Sequence, residues 1–207
     1  MNREWNLVKN LFRELRRFRQ NDPVRKGFGR TDLLEVGENS YGTDSITIHA
    51  WNNNEKVVIG KYCSIGEGLT IILGGGHDLT RISTYPFAVG TDSGAIIGDS
   101  PGHPVDTTGV FIGSDVWIGM GVTIMGGVRV GNGSVIGAKS MVTRNIGDYE
   151  IHAGHPAIKV GDRFEPKTKQ KLIELSWWEK DLDWIMQNKE LLISQPSAEI
   201  LDYLQNS

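Results

Sequence analysis

The 207-residue sequence predicts a mainly β protein built as a parallel β-helix, a coil of short strands whose turns stack on one another. Three observations carry that prediction. Aliphatic-glycine pairs recur every six residues, and the fifth position of each hexad is small or β-branched. The chain also holds 26 glycines against 7 prolines, which suits many tight turns. An amphipathic helix needs a period near 3.6 and a simple strand a period of two. A period of six fits neither, but it fits one short strand plus one turn repeated up a stack.

The elements follow in chain order. Val36-Gly37 is an early fragment of the repeat, which then runs through Ile59-Gly60, Ile65-Gly66 and Ile71 before the register is lost. It resumes at Ile112-Gly113, Ile118-Gly119, Ile124, Val130-Gly131, Ile136-Gly137 and Val142. Ser40, Cys63, Val116, Val122, Val128, Ser134 and Ser140 occupy the fifth position, four places after an aliphatic residue. Such residues suit the interior of a narrow coil, so Cys63 reads as a packed thiol rather than a nucleophile. Ile71 and Ile112 are 41 residues apart, one short of seven hexads, so residues 73–110 form a 38-residue insertion. It carries the stretch GGGHDLTRISTYPF, in which His77 follows Gly74-Gly75-Gly76.

Both ends are expected to be helical. Trp5, Val8, Leu11, Phe12, Leu15 and Phe18 share one helical stripe, with Arg13, Arg16, Arg17 and Arg19 mostly off it. That stripe suits a cap over the open end of the coil; the alternative is a basic helix in contact with a membrane surface. Ser176-Trp177-Trp178-Glu179 has capping-box spacing and is expected to open a helix through Trp184 and Ile185. A helix at 167–175 precedes it and another follows Pro196. The expected organisation is a basic helical arm (1–34), a β-helix domain (35–160) with its loop at about 73–110, and a helical extension (161–207).

Composition narrows the function classes. Residues 1–30 hold nine Lys/Arg and three Asp/Glu, so a basic arm precedes an acidic body within a net charge of −3. No apolar run is long enough to span a membrane, and no secretory h-region is visible. The single cysteine excludes an internal disulfide and fits a cytoplasmic location. No nucleic-acid partner is expected.

The stretch VWIGMGVTIMGGVRVGNGSVIGAKSMVTRNI with AGHPAIKV resembles the end of the coil in hexapeptide-repeat acyltransferases. YCSIGEGLTIILGGGHDLTRISTYPF and SWWEKDLDW resemble the xenobiotic acetyltransferase subgroup, the chloramphenicol and streptogramin type, whose relatives also acetylate sugars of surface polysaccharides. The resemblance covers roughly residues 35–185. It implies a left-handed coil, a homotrimer with an active site in each groove between coils, and acetyl-CoA as co-substrate with no metal required. The insertion is placed to be the acceptor loop.

Direct transfer from a thioester to a hydroxyl needs a base for the hydroxyl proton and donors for the developing oxyanion. His77 behind three glycines offers a neutral imidazole and close backbone N–H groups, so it is the expected general base. By carry-over, cofactor contacts fall on Met120 and Ala138, then Thr143, Arg144 and Lys159, with Trp117 beside the pantetheine arm. Arg144 and Lys159 would meet phosphate. Tyr41, Tyr85 and Phe87 are the acceptor-side candidates. His155 reads as a turn residue, His152 as a surface residue, His49 as without a role, and His103 as a member of the acceptor loop. Two rivals stand beside an O-acetyltransferase. A non-catalytic scaffold would have no use for His77 in its glycine setting, and a γ-class carbonic anhydrase-like zinc enzyme needs three histidines on adjacent coils.

Overall fold

The structure is a computed structural model describing residues 30–50, 55–77, 79–84 and 109–207. The predicted helix at 5–18, Tyr85, Phe87 and His103 lie outside the described residues.

Among the described residues, thirteen short strands make three sheets. β1 (Leu34–Val36), β3 (Val57–Ile59), β6 (Val110–Ile112) and β9 (Arg129–Val130) form the first, all parallel. β4 (Ser64–Ile65), β7 (Trp117–Ile118), β10 (Val135–Ile136) and β12 (Glu150–Gly154) form the second, again parallel. β13 (Ala157–Asp162) returns antiparallel to β12 at its edge. The third holds β2 (Thr47–Ala50), β5 (Thr70–Leu73), β8 (Thr123–Met125) and β11 (Met141–Val142). The chain visits the sheets in rotation, so each circuit is one turn of a three-sided parallel β-helix. Isolated bridges from Tyr41 to Ser64 and from Val130 to Ile146 complete the first and last turns.

Register gives the turn its length. Ile118 pairs with Ile136, 18 positions on, which is three hexads. Ile71 pairs with Ile124, 53 positions on, so the excess at the interruption is 35 residues. The count of 38 is larger by three because Leu73 still belongs to β5, Val110 already belongs to β6, and a regular circuit also has one residue, Gly127, at this corner. A second, smaller excess escaped hexad counting: Thr47 pairs with Thr70, 23 positions on, five more than a regular turn.

The hexad's aliphatic position points inward, and stacking builds continuous columns. Ile48, Ile71, Ile124 and Val142 are in register and all at most 1% exposed. Burying each such side chain contributes about 1.5–3 kcal/mol. Cys63, Val116, Val122, Val128, Ser134 and Ser140 are buried as the fifth position requires. At the corner between the first and second sheets, Asn39, Tyr62, Asp115 and Tyr149 all take left-handed φ, between 56 and 61°.

Three helices follow: α1 (Pro166–Leu175), α2 (Leu182–Leu192) and α3 (Ala198–Asn206). Here one expectation is corrected. Ser176 does not open the helix that holds Trp184 and Ile185; at φ 42° it is both the C-cap of α1 and the N-cap of a single 3-10 turn, Trp177–Glu179, and its hydroxyl donates back to the Ile173 carbonyl. α2 begins later, where Asp181 Oδ1 accepts from Trp184 N at 2.8 Å. The Trp177-Trp178 pair instead anchors the extension, with Trp177 against Tyr62 (centroids 4.8 Å) and Trp178 buried. Among the described residues no helix is long and apolar enough to cross a membrane.

Candidate active site

Leaving β5, the chain turns through Gly74 and Gly75 at φ 69° and 72°, a conformation that L side chains resist, and presents His77 on the surface. His77 Nδ1 lies 2.6 Å from the Thr84 carbonyl oxygen. A carbonyl only accepts, so Nδ1 carries the hydrogen and donates it. In the neutral ring, Nε2 then holds the basic lone pair. This is the tautomer a general base needs, with orientation supplied by the main chain.

The remaining candidates occupy defined stations on the coil. Tyr41 (64% exposed) and Trp117 (59%) lie on the outer face of the second sheet, both adjacent to Ser64. Met120 and Ala138 sit at the corner between the second and third sheets on consecutive turns, where Lys139 N donates to the Met120 carbonyl at 2.8 Å. Thr143 and Arg144 follow β11 at the next corner, the one His77 also leaves from. Both are exposed, and Arg144 has no ion pair among the described residues. The structure therefore groups Met120 with Ala138 at one corner, and Thr143, Arg144 and His77 at another. A single chain distributes the expected site over two corners flanking the third sheet and the outer face of the second.

Lys159 has a different setting from the one expected. On β13 its ammonium donates to Glu150 Oε1 and pairs with Asp162 Oδ2, both at 2.9 Å, so two carboxylates compete with any phosphate. His152 is also not a free surface group. It is half-buried, in register with the buried Ile136, and its Nε2 donates to Glu150 Oε2 at 2.9 Å. Burial pushes the Glu150 carboxyl up, but Lys159, His152 and the Gly147 N–H outweigh it and hold it at about 2, against an ordinary 4.5. A carboxylate lowered on folding contributes stability that is complete above about pH 4.5 and lost as pH falls toward about 2. Glu150→Gln is expected to destabilise the protein at neutral pH and to flatten the acid limb over that window in urea unfolding. An unchanged acid limb would refute this.

Lys139 is a neighbour that sequence reasoning missed. It takes φ 61° where the turns below place Gly68 and Gly121 in the same left-handed conformation. Its side chain lies across Gly121, where a Cβ would stand 2.6 Å from Nζ. The signal was a lysine in the glycine slot of the repeat.

Cys63 is fully buried, and its thiol donates to the Gly113 carbonyl at 3.1 Å. Burial pushes the thiol up, away from thiolate reactivity. Cys63→Ser keeps a donor of similar size, so turnover is expected to stay within about twofold. Loss of activity in the folded variant would reinstate a covalent route. Among the described residues no group of three or more His, Cys, Asp and Glu is arranged to hold a metal ion.

Comparison with known proteins agrees with the class that the repeat defines. Residues 109–144 match the bacterial transferase hexapeptide family (six repeats). A probable macrolide acetyltransferase from Lysinibacillus sphaericus is 36% identical over 162 residues, 76% of this chain and 88% of that protein. A chloramphenicol acetyltransferase from Morganella morganii is 38% identical over 144 residues, 68% of this chain and 67% of that one. A solved hexapeptide-repeat-containing acetyltransferase from Vibrio cholerae superposes over 64% of each chain, with 20% identity and a TM-score of 0.46. By its likeness to the two acetyltransferase relatives, the chain belongs to the hexapeptide-repeat acetyltransferases, in the xenobiotic subgroup that includes the chloramphenicol and streptogramin type.

Proposed function

We propose that the protein transfers acetyl directly from acetyl-CoA to a hydroxyl of a small molecule or sugar, with His77 as general base. The observation that carries this reading is the Nδ1–H bond from His77 to the Thr84 carbonyl, which places the ring hydrogen on Nδ1 and the basic lone pair on Nε2. Bound acetyl-CoA supplies the activated acetyl group. Nε2 takes the hydroxyl proton as the oxygen attacks, and the Thr84 carbonyl holds the resulting imidazolium. That proton then passes to the departing thiolate, so His77 returns neutral. Glycine N–H groups beside His77 are suited to donate to the developing oxyanion.

The exposed turns at Met120 and Ala138 suit backbone contacts to a pantetheine arm, with Trp117 alongside. Thr143, Arg144 and Lys139 suit the phosphates, and Lys159 joins them only by exchanging its carboxylate partners. Because these residues divide between two corners, a complete site needs the His77 corner of one copy beside the Met120 corner of another. A homotrimer of left-handed coils meets that need in each groove. Tyr41, Tyr85, Phe87 and the loop at 73–110 form the acceptor side. The single buried cysteine suits a cytoplasmic location. The names of the relatives favour an antibiotic hydroxyl; a surface-polysaccharide sugar is the second acceptor class.

The test is thiol release from acetyl-CoA with purified protein against chloramphenicol, a macrolide, a streptogramin and free sugars. Acceptor-dependent release is expected with at least one of them. No release with any acceptor, together with no binding of CoA, would favour a non-catalytic scaffold, and stoichiometric zinc would favour a metal enzyme.

A further inference from the structure

We propose that a cavity between the coil and the C-terminal helices is a second binding site, for the hydroxyl-bearing end of a small aliphatic molecule. The cavity, about 110 Å³, lies where α1, α2 and α3 cover the corner between the first and second sheets. Leu172, Leu175, Leu191, Leu192, Leu201 and Leu204 line it with hydrocarbon. Asp115, Tyr149 and Arg163 give it one polar end.

That end is incompletely satisfied. Tyr149 is 1% exposed, and its buried hydroxyl has no hydrogen-bond partner among the described residues. A buried hydroxyl without a partner is costly, so its presence calls for something to pair with it. Burial and the neighbouring Asp115 push that hydroxyl up, so it remains a neutral O–H donor. Asp115 Oδ2 accepts from Arg163 Nη1 at 3.0 Å, and no bond to Oδ1 is present among the described residues. Arg163 Nη1 also donates to the Gly133 carbonyl at 2.7 Å, and its guanidinium lies over the Phe164 ring, 5.1 Å from the centroid.

These groups select the ligand's chemistry. A hydroxyl can accept from Tyr149 while donating to Asp115, matching both with one group. A carboxylate would add a second negative charge beside Asp115, and an ammonium a second positive one beside Arg163. An apolar cavity of about 150 Å³ accommodates benzene, so the smaller volume here suits about four or five carbons.

The experiment uses the full chain and 2-methylpropan-1-ol as probe, with isobutyrate and isobutylamine as charged controls of the same skeleton. Ligand-observed NMR should show the alcohol binding with a Kd of about 1–10 mM, as suits so few atoms. Both controls should bind at least about fivefold more weakly, and Tyr149→Phe should weaken the alcohol by a similar factor. Ile200→Phe, which fills the lining, should abolish binding. Contacts from the probe to the Tyr149 ring and Leu201 methyls in the unmodified protein decide the matter if Tyr149→Phe does not fold. Absence of binding would show a cavity filled by water alone and overturn the proposal. Equal affinity for all three probes, an unchanged Kd in a folded Tyr149→Phe, or probe contacts elsewhere on the surface would also overturn it.

Discussion

His77→Ala is expected to lower kcat by about two to four orders of magnitude, the usual loss when a general base is removed. That corresponds to about 2.7–5.5 kcal/mol of transition-state stabilisation. The side chain is exposed and lies outside the buried core, so the fold should be preserved, and under the proposed reading CoA binding with it. The change should therefore fall on kcat, with little effect on KM for acetyl-CoA. His77→Gln is an informative companion, because its amide can still donate toward the Thr84 carbonyl without taking up a proton. It should be nearly as slow as the alanine variant. Steady-state kinetics on acetyl-CoA and one accepted hydroxyl would check both, and near-normal turnover in either variant would remove His77 from the mechanism.

The coil was legible in the sequence because each turn repeats the same constraint. Ile118 must be aliphatic for the same reason as Ile136, since they stack in register inside the same sheet. Cys63 could be assigned to the interior before its Gly113 partner was visible. His77 draws attention for the opposite reason: it stands where the constraint lapses and the chain leaves the stack. The features that were not legible lie outside the repeat and depend on how irregular or antiparallel segments fold back on themselves. Lys159 reads as a free cation until the antiparallel β12–β13 hairpin sets it between Glu150 and Asp162. The tautomer of His77 depends on a carbonyl seven residues away in an irregular segment. Ser176 carries the spacing of a capping box, yet its left-handed φ ends one helix and leaves Asp181 to start the next.

Gly119→Val is expected to cost about 3 kcal/mol or more, because its new side chain meets main chain rather than a movable side chain. A Cβ at this position would stand 2.5 Å from Ala138 N, 2.7 Å from Ala138 Cα and 3.0 Å from the Gly137 carbonyl carbon. None of these atoms can rotate aside, so the next turn of the coil has to lift. Lifting it strains the bonds that stack the turns, among them Gly119 N to the Ile136 carbonyl at 2.8 Å. The same movement displaces Met120 and Ala138, so KM for acetyl-CoA should rise along with the loss of stability. For a chain of this size the midpoint of thermal unfolding should fall by roughly 6–12 °C. Gly161→Ala is the matched control: no atom lies within 4 Å of its Cβ position, and its stability change should stay within about 0.5 kcal/mol. Thermal unfolding of the two variants beside the parent separates close stacking from the general effect of replacing a glycine. A Gly119→Val protein as stable as the parent would mean that the turns do not approach one another as closely as the glycine row requires.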